Sequence, residues 1–225
     1  MLQTIWNYSS EISVNRRRAV GIQRTRNGLL RLGETPTVNP WQFSVKHSRV
    51  VPFNQARTLI ETLDNMDRNV SETITLGSGT NMSWMYKYAG GQTQLNLDRL
   101  KVVTFVGNQL VLDTSTLTSA TGSVIFEKGD LFSIVGFPHP FTSTTQVVKN
   151  GATVIVTTHR PNIIQTSIPG NTGLLVGANA QVKVICQNMP SYTLKTGGHQ
   201  YVNGILVNAA YVEFDDDFEL YEYVS

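Results

Sequence analysis

The chain has 225 residues, of which only 15% are charged, against roughly 25% in an average globular domain. Its mean hydropathy is −0.11, and threonine and valine are its commonest residues. This composition excludes a disordered chain, a coiled coil and a bundle of long helices, and it favours strands joined by many turns. No window of about 18 consecutive apolar residues occurs, so we expect no membrane insertion.

The first half of the chain contains one clear strand and one amphipathic helix. Residues 41–47 alternate between apolar and polar, with Trp41, Phe43 and Val45 on one face. After Phe53, the apolar residues Ala56, Ile60 and Leu63 recur with helical spacing. The sequence therefore predicts one helix at about 54–68.

The remaining patterns are short strands separated by turn residues. Gly107-Asn108 is a two-residue hairpin turn that requires a positive φ. Residues 114–123 are almost entirely Ser, Thr, Ala and Gly, which makes them the best linker candidate. Strand spacing of this kind predicts a mainly β chain with a small barrel or sandwich. The strand patterns are 18–26, 29–32, 71–76, 83–88, 100–106, 109–113, 123–127, 131–136, 145–149, 152–159, 173–177, 180–186, 201–207 and 210–224.

The formal net charge is only +2, but the charges are segregated along the chain. Residues 1–57 carry nine basic and two acidic side chains, whereas residues 213–222 carry six acids and no base. Opposed charges allow head-to-tail contact between copies or attraction to nucleic acid. The alternative is a solvated hairpin edge whose like charges prevent aggregation. The candidate interface or lumen residues are Arg16, Arg17, Arg18, Arg24, Arg26, Asp215, Asp216 and Asp217.

No catalytic or metal-binding motif is found. The four histidines are scattered, and His139 and His159, which stand beside prolines or Arg160 at strand ends, are interpreted as structural. The one cysteine, Cys186, fits a buried strand face. Glu222 is a charged exception on the apolar face of the terminal strand. The sequence predicts a protein that is not an enzyme, with no catalytic residue, no metal and no cofactor.

Three segments, in chain order, carry a family resemblance. The first is a strand followed by a helix, the second a run of short barrel strands, and the third a closing strand of the form FELxE. They are residues 41–45 with Pro52 and the helix from 53 to 68, residues 128–134 with 146–148 and 154–161, and residues 214–222. Together they resemble the distal tail proteins of tailed bacteriophages and, more generally, the tail-tube and baseplate-hub ring proteins.

The resemblance implies a fold and a function. The fold is a split β-barrel with one amphipathic helix, formed by residues 1–118 and return strands 185–225, plus a second small, OB-like β-barrel inserted at 119–184. The implied function is that of a structural virion protein, a homohexameric ring at the distal end of the tail tube. The ring would join the tube to the baseplate or tail-tip hub and leave a lumen for DNA passage. The implied partners are other copies of the chain, a tail tube protein and a hub protein, with DNA only in transit. The implied location is the phage tail, assembled in the host cytoplasm.

Four aromatic residues leave an alternative function open. Trp84, Tyr86 and Tyr88 would share one strand face and, with Trp41, could stack on sugar rings. That pattern is compatible with a carbohydrate- or cell-surface-binding β module of a phage tail, although an aromatic strand face is more often core or interface. A third reading, a hydrolase with a minimal site, has no nucleophile–base pair to support it.

Overall fold

The computed structural model describes residues 2–16, 20–24, 30–34, 40–47, 51–65, 70–77, 86–164, 166–202 and 205–224. The helices in these ranges are α1 Leu2–Asn7, α2 Phe53–Asp64 and α3 Gln94–Arg99. The strands are β1 Ser9–Asn15, β2 Val20–Arg24, β3 Leu30–Glu34, β4 Gln42–His47, β5 Val51–Pro52, β6 Glu72–Thr75, β7 Lys101–Val106, β8 Gln109–Asp113, β9 Val124–Phe126, β10 Leu131–Ile134, β11 Phe137–Thr142, β12 Val147–Val148, β13 Thr153–Thr157, β14 Thr172–Val176, β15 Gln181–Asn188, β16 Tyr192–Val202, β17 Ile205–Phe214 and β18 Phe218–Glu222. The protein is mainly β, which confirms the predicted fold class.

The predicted helix at 54–68 is present as α2, and it ends earlier than predicted. The physical reason lies at Asn65, whose side-chain amide and backbone N–H both donate to the carbonyl of Glu61. This arrangement closes the last turn. Residues 66–69 lie outside the described residues. The apolar side chains that α2 buries have helical spacing, and they are Ala56, Leu59, Ile60 and Leu63.

One sheet, the five-stranded sheet, has the antiparallel order β1–β4–β18–β15–β6. The alternation predicted for 41–47 is confirmed, because Trp41, Phe43 and Val45 are buried on the same side. Together with α1 and α2 the sheet encloses a hydrophobic cluster, the first core, which includes Leu2, Trp6, Phe43, Leu59, Ile74, Val182 and Phe218.

A second sheet, the six-stranded sheet, has the order β11–β10–β14–β7–β8–β13. It curls until its two outer strands meet, where Ser143 forms a bridge with Thr158 and the Thr144 N–H donates to the Thr157 carbonyl at 2.9 Å. The predicted hairpin between β7 and β8 is present, with Gly107 at φ +54°. The sheet encloses the second core, which includes Leu100, Leu110, Phe126, Phe132, Phe141 and Val156.

The two connections between the sheets run side by side. The Leu76 N–H donates to the Ala180 carbonyl and the Gly77 N–H to the Ala178 carbonyl, each at 2.9 Å. A Cβ on Gly77 would lie 2.3 Å from the Cβ of Ala178, so this close approach requires glycine. The chain therefore leaves the five-stranded sheet and returns to it at one place.

Residues 114–123, the linker candidate, lie inside the six-stranded unit and join β8 to β9. Leu117 is buried in the second core, and Lys149 Nζ donates to the carbonyls of Leu117 and Ser119 at 2.8 Å each. The segment does not separate the two cores, because Leu117 anchors it. The second core takes its residues from 97–176, whereas the resemblance places the inserted unit at 119–184.

The remaining strands form two hairpins and one further antiparallel pair, β9 with β12. The longer hairpin pairs β16, of 11 residues, with β17, of 10 residues, and β5 joins it beside Tyr211 and Val212. The shorter hairpin pairs β2 with β3. Within the described ranges, none of the helices has both the length and the apolar character that crossing a membrane requires.

Candidate functional site

A buried carboxylate, Glu222, links the two sheets. Its Oε2 accepts hydrogen bonds from Arg160 Nη1 at 2.6 Å and from the Trp41 backbone N–H at 3.0 Å. Its Oε1 accepts from Arg160 Nη2 at 2.8 Å and from His139 Nδ1 at 3.0 Å. Trp41 and Glu222 belong to the five-stranded side, and His139 and Arg160 to the six-stranded side. We call these four residues the Glu222 junction.

The Glu222 junction holds its carboxylate in the ionised form. Burial alone would raise the pKa of Glu222, but the hydrogen bonds from His139 and Arg160 and the positive charge of Arg160 outweigh burial and lower the pKa to about 2. A carboxylate that already accepts four hydrogen bonds is a weak base, so this arrangement suits holding two sheets together rather than transferring a proton.

Aromatic rings surround the guanidinium of Arg160. Its Cζ lies 5.0 Å from the ring centroid of Phe141 and 5.9 Å from that of Trp41. The ring of His159 also lies beside Trp41, with 5.6 Å between the ring centroids, and His159 Nδ1 accepts from the Thr142 N–H at 3.0 Å. The indole Nε1 of Trp41 lies 3.3 Å from His159 Nε2. These contacts fix the Trp41 ring between the two sheets.

A cleft of about 240 Å³ opens beside the Glu222 junction. Arg16, directly after β1, extends across it, with its Cζ 5.5 Å from the Trp41 ring centroid and its Nη1 donating to Thr142 Oγ1 at 3.3 Å. We call this space the Arg16 cleft. Its walls are Val14, Arg16, Trp41, Tyr86, Gly129, Leu131 and Thr142.

The structure places one of the five predicted arginines in contact with other side chains. Arg16 lies in the Arg16 cleft. The backbone of Arg24 is at the end of β2. Arg17, Arg18 and Arg26 lie outside the described residues. What the arginines do together therefore stays a prediction.

The predicted acidic residues form the turn between β17 and β18. Asp215 and Asp216 are exposed, while Asp217 Oδ2 accepts from Ser44 Oγ at 2.7 Å. Of the other acids in 213–222, Glu222 is paired with Arg160 and Glu213 with Lys195. The acidic surface is therefore smaller than the sequence alone suggests, because two of the acids have partners within the chain.

Arg16 and the acidic turn lie at opposite ends of the five-stranded sheet. At one end of the sheet, Gln42 of β4 pairs with Asn15 of β1 and with Tyr221 of β18. At the other end, Val45 of β4 pairs with Phe218 of β18. Arg16 is thus next to the end of β18 and the acidic turn precedes its start. Four residue steps at about 3.4 Å each separate these ends by roughly 14 Å.

The aromatic residues proposed to stack on sugars are mostly inside the protein. Trp41 is 2% exposed and Tyr86 8% exposed, both in the first core. Tyr88 packs against the second core, where its hydroxyl donates to the Ile125 carbonyl. Trp84 lies outside the described residues. Rings buried in this way cannot stack on a carbohydrate, since stacking needs an exposed face.

Sequence reasoning identified Glu222, His139 and His159 one at a time but did not bring them together. The partners of Glu222 are distant along the chain: Arg160 is 62 residues away, His139 is 83 residues away and Trp41 is 181 residues away. The one available signal was a charge on an apolar strand face, which requires a buried partner.

The described residues contain no group of three or more His, Cys, Asp or Glu side chains arranged to hold a metal ion. The sequence was also compared with models of protein families and with curated proteins, and neither comparison finds a match.

Proposed function

We propose that this protein is a structural virion subunit that assembles into a ring at the distal end of a phage tail tube. The ring joins the tube to the baseplate or tail-tip hub and leaves a lumen through which DNA passes. The resemblance of the three sequence segments supports this proposal. The structural observation that carries it is the difference between the two edges of the five-stranded sheet.

The β6 edge is covered from within the chain. Gln3, on α1, accepts from the Thr75 N–H through Oε1 at 2.6 Å and donates to the Thr75 carbonyl through Nε2 at 3.3 Å. Trp6 Nε1 donates to the carbonyl of Leu76 at 2.9 Å. These side chains satisfy backbone groups that would otherwise be free to pair with another strand.

The β1 edge pairs with β4 on one side, and no other described strand pairs with its outer side. This edge is seven residues long and contains no proline. A long, unpaired edge strand is a template for strand addition from another chain. Strand addition at β1 would therefore continue the sheet into a neighbouring subunit.

The positions of the charges favour a head-to-tail contact between copies of the chain. Arg16 and the acidic turn lie at opposite ends of the sheet, so a neighbouring copy can match its acidic end to a basic end. A contact between two different surfaces of identical copies closes into a ring when the rotation per copy allows it. Such a function needs no catalytic residue.

The proposal is tested by the molar mass of the purified protein, measured by light scattering after gel filtration at low and high salt. We expect a species of roughly six times 24.9 kDa, with a central hole in negative-stain images. High salt should dissociate it if the charged ends contribute.

Two variants separate strand addition from a general effect of added charge. Ser13→Lys places a lysine on the β1 edge and should give monomers, because charged edge strands resist pairing. Ser167→Lys adds the same charge at an exposed loop position and should leave the ring intact. A monomer at every protein and salt concentration would contradict the proposal. A dimer would contradict it as well, since two β1 edges pairing across a two-fold axis close without a ring.

A further inference from the structure

The described residues that line the Arg16 cleft supply one positive charge and no carboxylate. Among its walls Arg16 is the only ionised side chain, and its one hydrogen bond to a described residue is to the Thr142 hydroxyl at 3.3 Å. A guanidinium has five N–H donors. Most of the donors of Arg16 are therefore available for an anion that enters the cleft.

The hydroxyl of Tyr86, in the wall of the cleft, is a second donor without a partner among the described residues. Tyr86 lines the cleft with 8% of its surface exposed, and its buried hydroxyl has no hydrogen-bond partner among the described residues. Burial raises the pKa of Tyr86 to about 12, against the opposing effect of the positive charge of Arg16. The hydroxyl is therefore protonated at neutral pH and can donate. A buried polar group without a partner is unfavourable, so a bound acceptor would remove a cost already present in the free protein.

The other walls are apolar. The Trp41 ring forms one side, and Val14 and Leu131 complete it. The volume of about 240 Å³ is below the roughly 300–1,000 Å³ of pockets for drug-sized molecules. The cleft therefore has room for a ligand whose apolar part is about the size of one ring.

We propose that the Arg16 cleft binds a small monocarboxylate with an aromatic or apolar body. The carboxylate accepts from the Arg16 guanidinium and the Tyr86 hydroxyl, and the body packs against the apolar walls formed by Val14 and Leu131. Arginine suits this role because its planar group can donate two parallel hydrogen bonds to one carboxylate. This site does not depend on ring formation, and it is tested by separate measurements.

Benzoate is the probe, and benzyl alcohol is its uncharged counterpart. In isothermal titration calorimetry we expect saturable binding of benzoate with a Kd of roughly 1 mM or below, and binding of benzyl alcohol at least about tenfold weaker. Benzoate should also raise the melting temperature of the protein, because a ligand that binds only the folded state stabilises it.

Two variants test the two donors. Arg16→Gln should weaken benzoate binding by roughly tenfold to a hundredfold. The matched control is Arg57→Gln, which removes the same charge from the exposed face of α2 and should leave the affinity unchanged.

The Tyr86→Phe variant distinguishes a tyrosine that binds the ligand from one that serves only the structure. It should weaken benzoate binding and, at the same time, raise the melting temperature of the free protein, because it removes a buried hydroxyl that has no partner.

Three results would each overturn the proposal. The first is no saturable heat with benzoate up to about 10 mM. The second is equal affinity of the wild-type protein and Arg16→Gln. The third is Tyr86→Phe lowering the melting temperature without changing the affinity, which would show that the hydroxyl serves the core rather than a ligand.

Discussion

Replacing Glu222 by glutamine tests the Glu222 junction most directly. The glutamine keeps the shape of the side chain but removes the negative charge that faces Arg160, which is itself only 5% exposed. Removing one partner of a buried ion pair leaves the other charge uncompensated, at a cost of about 3–5 kcal/mol. We therefore expect Glu222→Gln to lower the free energy of unfolding by about that amount at pH 7.

The pH dependence gives an independent value for the same interaction. The pKa of Glu222 falls from an ordinary 4.5 to about 2 in the folded protein, a difference worth roughly 3 kcal/mol at about 1.4 kcal/mol per pH unit. Because the folded state binds the proton less readily than the unfolded state, this stability is fully present above about pH 4.5. It is lost as the pH falls toward about 2.

The assay is urea denaturation followed by tryptophan fluorescence, at pH 7 and at steps down to pH 2. In the Glu222→Gln variant, the free energy of unfolding should no longer show the part of its decline at acid pH that comes from Glu222. The Glu219→Gln variant, changed on the exposed side of the same strand, should still show that part of the decline. In a double-mutant cycle, Glu222→Gln combined with Arg160→Met should cost less than the sum of the single changes. A loss below about 1 kcal/mol for Glu222→Gln at pH 7, or an unchanged acid profile, would refute the reasoning.

Three further changes have defined outcomes. Burial lowers the pKa of His47 to about 4, so stability should fall as the pH drops from about 6.5 to 4, and His47→Leu should remove that part of the decline in urea titrations. Gly77→Ala should cost about 1–3 kcal/mol in chemical denaturation because its methyl group would overlap Ala178, whereas Gly170→Ala, with open space around it, should be close to neutral. Phe132→Ala should cost about 3–5 kcal/mol, because Phe132 is fully buried between Phe126 and Phe141; an unchanged denaturation midpoint would contradict this.

Local patterns in the sequence were sufficient for the parts of the fold that local contacts determine. The alternation at 41–47, the helical spacing of α2 and the hairpin at Gly107 each involve neighbours a few residues apart. The division between the two cores depends on long-range contacts. Residues 114–123 have the composition of a linker, and the burial of Leu117 is visible only when β8, β9 and Lys149 are in place.

The same limit applies to the candidate sites. Glu222 stood out in the sequence as a charge among apolar residues, but the pattern could not show that Arg160 is its partner, since the two residues meet only when the sheets pack together. The Arg16 cleft was equally inaccessible to sequence reasoning. Arg16 was noted for its place in a basic run, whereas its neighbours Trp41 and Tyr86 come from distant segments.

The interleaved path of the chain has a consequence for the order in which the protein is made. The strands of the six-stranded sheet all lie between residues 101 and 176, whereas the five-stranded sheet needs β1, β4 and β6 from the start of the chain and β15 and β18 from its end. On the ribosome, the six-stranded sheet can therefore form while β4 still lacks one neighbour. When β18 is finally released, its insertion between β4 and β15 completes the five-stranded sheet and brings Glu222 to Arg160 in one step. The strand that follows all the others described here in chain order, β18, is thus the one that joins the two halves of the molecule.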